Sequence, residues 1–182
     1  MAMPAYARNG RAESTIEDFD MTIATNREAL DNGSDSGCRV RGVARQVISP
    51  AGTATTLTAG QSGAMCVMNT AAGQTYVLPA IGANDVGMEF DFVVTVTGTG
   101  TYSVTTDAST TFIGGGVSMH STTVAQGGLT AVANPAATLA IAMDSDVTGR
   151  LVGGSFKLTA ISTTVWSIGG NLAGVGTLAT PF

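Results

Sequence analysis

One histidine, two cysteines and thirteen carboxylates are the side chains from which this 182-residue chain could build acid–base, nucleophilic or metal chemistry. Their spacing withholds most of it. His120 has no second histidine or cysteine near it to share a metal, and a lone imidazole completes no Ser/His/Asp set. It reads as a surface or turn histidine. Cys38 and Cys66 stand without CxxC or Cys/His spacing, so zinc is excluded on ligand count. Met1 is not followed by the basic segment and apolar core of a secretory signal, which points to a reducing site of synthesis and free thiols. Residues 144–149 (DSDVTG) mimic the opening of an EF-hand loop, but the twelfth position is Ser155 where calcium needs a bidentate Glu, and a β-turn explains the same residues. Gly114, Gly115 and Gly116 lack the Lys-Ser/Thr of a phosphate loop and read as a flexible corner. Asp85, Glu89, Asp91, Asp107, Asp144 and Asp146 fall in turns or on an alternating polar face. Two of them meeting from distant strands would make a paired-carboxylate hydrolase. The residues together read as a non-enzyme, with no catalytic, cofactor or metal position assigned.

Strands must position whatever these groups do. Residues 65–68 are apolar, 69–73 are turn-rich and 74–78 alternate before Pro79, which predicts a β-hairpin. Met88, Phe90, Phe92, Val94 and Val96 recur at every second position, a period that places them on one face of a strand. Gly98, Thr99 and Gly100 offer a reversal, and Tyr102, Val104 and Thr106 resume the alternation, which predicts a second hairpin. Leu139, Ile141 and Met143 mark another strand. Phe156, Leu158 and Ala160 alternate with Lys157, Thr159 and Ile161, and Val165, Trp166 and Ile168 return after Thr163 and Thr164 as a closing hairpin. Phe90, Phe92 and Trp166 are the expected core anchors. Trp166 is expected to seal its end of the core, its other role being a sugar-stacking platform. The fold class is all-β, a compact antiparallel β-barrel or sandwich with an extended N-terminal arm.

Charge divides the chain. Charged residues make up 12% of it, about half the ~25% of an ordinary soluble domain, while 44% are hydrophobic. Such a surface predicts association with other subunits. The net charge of −5 lacks the basic footprint that nucleic acid requires, and no run of 18 apolar residues predicts a membrane span. Arg8, Arg11, Arg27, Arg39, Arg41 and Arg45 all precede residue 50, with only Arg150 and Lys157 beyond it. The predicted organisation is an arm over residues 1–50 and a β-domain over 51–182, entered through a Thr/Ala/Gly-rich linker. Within the arm, Ser14 and Glu17 resemble a capping box, for one short helical turn or an extended piece. Residues 38–48 partly alternate, with Arg39, Arg41 and Arg45 on one side. They make either a solvated edge strand guarded by its charges or a strand that docks on a neighbouring subunit.

Gly73, Thr75, Leu78 and Pro79, then Gly87, Phe90 and Phe92, then Trp166 with Gly169 and the Pro181-Phe182 ending, form a pattern that resembles tailed-phage virion proteins. Head decoration (cement) proteins are the particular likeness, over roughly residues 57–182. The resemblance implies a compact β-domain on the outer face of a capsid, as a trimer made in the host cytoplasm, that reinforces the shell by bridging copies of the major capsid protein. It also implies an arm that engages the shell and no cofactor; guanidinium forks for a neighbour's carboxylates and a strand that can join a foreign sheet edge make Arg39, Val40, Arg41, Val43 and Arg45 the expected contacts. The length of the arm leaves open a capsid fibre or tail component that binds a host surface glycan.

Overall fold

The computed structural model describes residues 45–49, 52–123 and 128–182. Eleven strands carry the fold: β1 (Val47–Ile48), β2 (Ala54–Thr56), β3 (Met65–Met68), β4 (Gln74–Val77), β5 (Glu89–Val94), β6 (Tyr102–Thr105), β7 (Phe112–Ser121), β8 (Leu129–Ala133), β9 (Ala140–Met143), β10 (Ser155–Ser162) and β11 (Val165–Gly174). They form a seven-stranded sheet in the order β1-β3-β5-β10-β11-β7-β8 and a four-stranded sheet in the order β2-β4-β6-β9. Two sheets with a shared apolar core make this an all-β, sandwich-like fold. The compact unit runs from Ala44 to Phe182, so Val47 and Ile48, read from sequence as arm, form its first strand.

The chain alternates between the layers from β1 to β7, odd strands in the larger sheet and even strands in the smaller. Each of β1 to β4 lies parallel to the strand two places on: β1 to β3, β3 to β5, β2 to β4 and β4 to β6. This is a flattened coil in the manner of a β-solenoid. It corrects two expectations. β3 and β4 are not a hairpin, and neither are β5 and β6, because each pair is split between the two sheets. The alternation that marks an inward face is real in all four strands, with the pattern buried-then-half-buried repeated along each. Periodicity reports which face is inside and says nothing of which strand lies alongside. Segments 69–73 and 95–101 are longer than a two-residue hairpin turn, and they carry the chain across the roughly 10 Å between packed sheets.

The two crossings rest on one another. Thr99 and Gly100 donate their amides to the Ala71 carbonyl at 2.6 and 3.0 Å, and Gln74 donates to the Thr101 carbonyl at 3.0 Å. A side chain on Gly100 would place its Cβ 1.9 Å from the Ala72 carbonyl oxygen, so the close approach of these backbones requires glycine.

After β6 the pattern changes. β10 and β11 form the expected closing hairpin, with Phe156 opposite Gly170 and Ala160 opposite Trp166. The hairpin lies between β5 and β7, antiparallel to β5 through β10 and parallel to β7 through β11. Antiparallel pairing, expected throughout, holds for four of the nine strand pairs. Gly114 to Gly116 form no corner; they lie inside β7. Glycine is needed there because Gly115 has φ +98° and a Cβ on it would come within 2.5 Å of the Ile168 carbonyl oxygen, while one on Gly114 would meet Pro135 at 2.7 Å. Glycines inside a strand mark close backbone approach as well as turns.

Phe90, Phe92 and Trp166 are fully buried, as are Tyr76, Tyr102, Met68, Leu78, Ile113, Met119, Ile141 and Met143. Phe92 stacks on Phe156 with ring centroids 5.0 Å apart and meets Tyr76 of the opposite sheet edge-on at 5.5 Å. Trp166 packs against Phe90 at 6.0 Å. Its indole Nε1 is buried with no acceptor, so the ring holds its place by shape and area alone. The buried Tyr76 hydroxyl, by contrast, donates to the carbonyls of Val67 at 2.8 Å and Ile48 at 3.2 Å, which ties β4 to the larger sheet.

Candidate functional site: the outer face of the larger sheet

Apart from Asp85 and Asp107, the charged side chains of the described residues gather at two places. The first is on the outer face of the larger sheet, where strand register sets Met65, Asp91, Lys157, Gly169, Gly116 and Val132 in one row from β3 to β8. Arg45 reaches this row from the start of the chain's described part. Its Nε and Nη2 each donate to the Gly63 carbonyl at 3.0 Å, and Nη2 also donates to the Asp91 carboxylate. Lys157 pairs with Glu89 at 3.0 Å and lies 3.9 Å from Asp91. Two cations and two carboxylates make the cluster neutral.

This arrangement bears on the contact residues expected from sequence. Arg39, Val40, Arg41 and Val43 lie outside the described residues. Arg45 is engaged within its own unit, clamping the loop before β3 to β5, and its fork is already filled by Gly63, Ala64 and Asp91. It is a fold residue first.

The second gathering is the DSDVTG segment, which forms a turn closed by its own groups. The Thr148 hydroxyl donates toward Asp144 at 3.0 Å, and Arg150 donates from Nε to Asp146 at 2.8 Å and from Nη1 to the Asp144 carbonyl at 3.0 Å. A guanidinium serves the oxygens that an EF-hand would turn on calcium. With Arg150 counted, each of the three Lys and Arg side chains among the described residues is ion-paired inside the unit.

Beside the neutral cluster the sheet surface dips into a shallow depression of about 360 Å³, lined by Arg45, Met65, Asp91, Ser155, Lys157 and Gly169 among others. Gly169, named from sequence only within the pattern of the resemblance, lines this depression. It lies in the middle of a ten-residue central strand, faces outward, and a Cβ on it would touch nothing within 4 Å. Its neighbour Gly170 is a glycine for packing, since a Cβ there would lie 2.5 Å from the Phe156 Cα.

Elsewhere the described residues present little reactive chemistry. His120 is exposed on β7. Cys66 is a free thiol buried in β3, and burial pushes its pKa up to about 12. Trp166 is fully buried, which overturns its reading as a sugar platform. The face carries a neutral, ion-paired cluster beside a shallow depression. No family model, curated protein or solved structure matches the chain.

Proposed function

We propose that this protein is a structural virion component that decorates the outer surface of a phage capsid and stabilises it by bridging copies of the major capsid protein. The observation that carries the reading is the internal closure of charge. A chain with 12% charged residues uses every described Lys and Arg to tie its own segments together, and so offers partners a broad, nearly uncharged face. Large weakly charged surfaces are characteristic of proteins that work in assemblies. The resemblance of the glycine and alternation pattern to head decoration proteins favours the same reading and supplies the expectation of a homotrimer. Attachment falls to the arm, through Arg39 and Arg41 as forks for carboxylates and Val40 and Val43 as residues of an added strand.

The test is co-sedimentation of the full chain with shells assembled from the major capsid protein of the same genome. The full chain should pellet with the shells. The Arg39→Ala/Arg41→Ala variant should pellet less, with a shallower dependence on salt. A full chain that stays in the supernatant at micromolar concentration overturns the proposal.

A further inference from the structure

The four sheet edges are not alike. β1 and β2 are strands of two and three residues. β9 is partly covered, because Ala142 donates its amide to the Pro181 carbonyl at 2.8 Å. β8 is five residues long, and no backbone group of the described residues pairs with its far side. About half of the N–H and C=O groups of such a strand point outward unpaired, and natural edges of this length are normally guarded by a charge, a proline or a cover. β8 reads Leu-Thr-Ala-Val-Ala, and no ionisable side chain occurs from Ser121 through Met143.

We infer that β8 is an interaction edge and that its partner is β8 of a second copy, paired antiparallel about a two-fold axis at Ala131. The strand is complementary to itself in that register. Ala131 meets Ala131 of the second copy, Leu129 meets Ala133, and Thr130 meets Val132, so large side chains face small ones and the outward pair is β-branched on both sides. Val132 is 71% exposed in the single copy, beside Gly116, which offers it no side chain. Pairing gives it a neighbour. Leu129, at the half-covered end of the core, gains the second copy's Ala133 across from it. Because the strand is uncharged, two copies of this acidic chain meet here without opposing like charges. The larger sheet then runs continuously through both copies. The inference stands on the edge itself and does not depend on the virion reading; a two-fold contact yields dimers, where the resemblance implies trimers.

Sedimentation velocity of the full chain from submicromolar to tens of micromolar concentration is the first measurement, with a monomer–dimer equilibrium expected. Val132→Lys places a charge at the centre of the contact without touching the core, and it should raise the dimer Kd at least tenfold at an unchanged melting temperature. In a Cys38→Ser background, Thr130→Cys/Val132→Cys brings cysteines opposite one another and should give a covalent dimer on mild oxidation. Ser167→Cys, on the same face two strands away, should not. A full chain that stays monomeric across the range overturns the inference. So does a dimer or trimer that survives Val132→Lys and forms no Thr130→Cys/Val132→Cys cross-link.

Discussion

β1 to β6 and β7 to β11 build the same two layers by different means. The first part advances by coiling, so its strands meet partners two places away and its turns stack, with Gly100 against Ala72 as the tightest point. The second part folds back, inserts a hairpin into the larger sheet and fills the core with its largest side chain, Trp166. The coil adds backbone fit at its turns and buried tyrosines to an apolar core that it shares with the second part, whose largest contribution is Trp166. The two parts should therefore fail under different insults.

Trp166→Ala strikes the hairpin part hardest. Deleting a fully buried indole that makes no hydrogen bond removes area and leaves a cavity, for an expected loss of about 3–5 kcal/mol in urea denaturation. A loss below about 1 kcal/mol would show that apolar volume is not what holds this part. Gly100→Ala tests the turn stack of the coil. Its Cβ would overlap the Ala72 carbonyl, so the backbones must part, at an expected cost of about 3 kcal/mol. Gly169→Ala, in open space, should cost nothing measurable by the same assay and so isolates close approach from glycine loss as such.

Alkaline pH gives a smaller effect than Trp166→Ala or Gly100→Ala and falls on the coil. Cys66, Tyr76 and Tyr102 all lie on β3, β4 and β6. Burial raises the pKa of each; at Cys66 the Asp91 charge adds to it and Arg45 opposes it, and at Tyr76 Cys66 adds to it. The folded chain keeps these protons while the unfolded chain releases them. Stability is thus full below about pH 9, the ordinary thiol value, and falls as pH rises from there toward 12. Each titrating group contributes about 1.4 kcal/mol per pH unit, which sums to about 2 kcal/mol lost by pH 10. Denaturant midpoints at pH 8 and pH 10 check it, and Cys66→Ala should remove the thiol's share.

Much of this fold was legible in the sequence at the level of single strands. The period-two runs through Phe90 and Phe92, Tyr102 and Val104, and Phe156 and Leu158 mark inward faces correctly, because burial acts on each residue where it stands. Partner choice was not legible. β5 lies between β3 and β10, which come from opposite directions along the chain, and nothing in a local pattern distinguishes a turn that reverses from one that crosses to another layer. Glycine misled in the same way at Gly114 to Gly116, where the demand comes from β11 and a loop proline brought alongside by the fold. Of the expected contact residues, Arg45 was read as a free fork because its acceptors, Gly63, Ala64 and Asp91, lie well along the chain from it.

The placement of the β10–β11 hairpin between β5 and β7 has a consequence for how the protein is made. Residues 155–174 leave the ribosome after β5 and β7, yet they lie between those two strands in the larger sheet. Until they emerge, β5 and β7 of the nascent chain each have a flank with no neighbour, and the stacked turns of the coil can form while the sheet they belong to stays divided. Closure waits on β10 and β11, and a chain released before they emerge would carry two open strand edges where the finished sheet has a seam. Synthesis of this hairpin is thereby a condition of a continuous larger sheet.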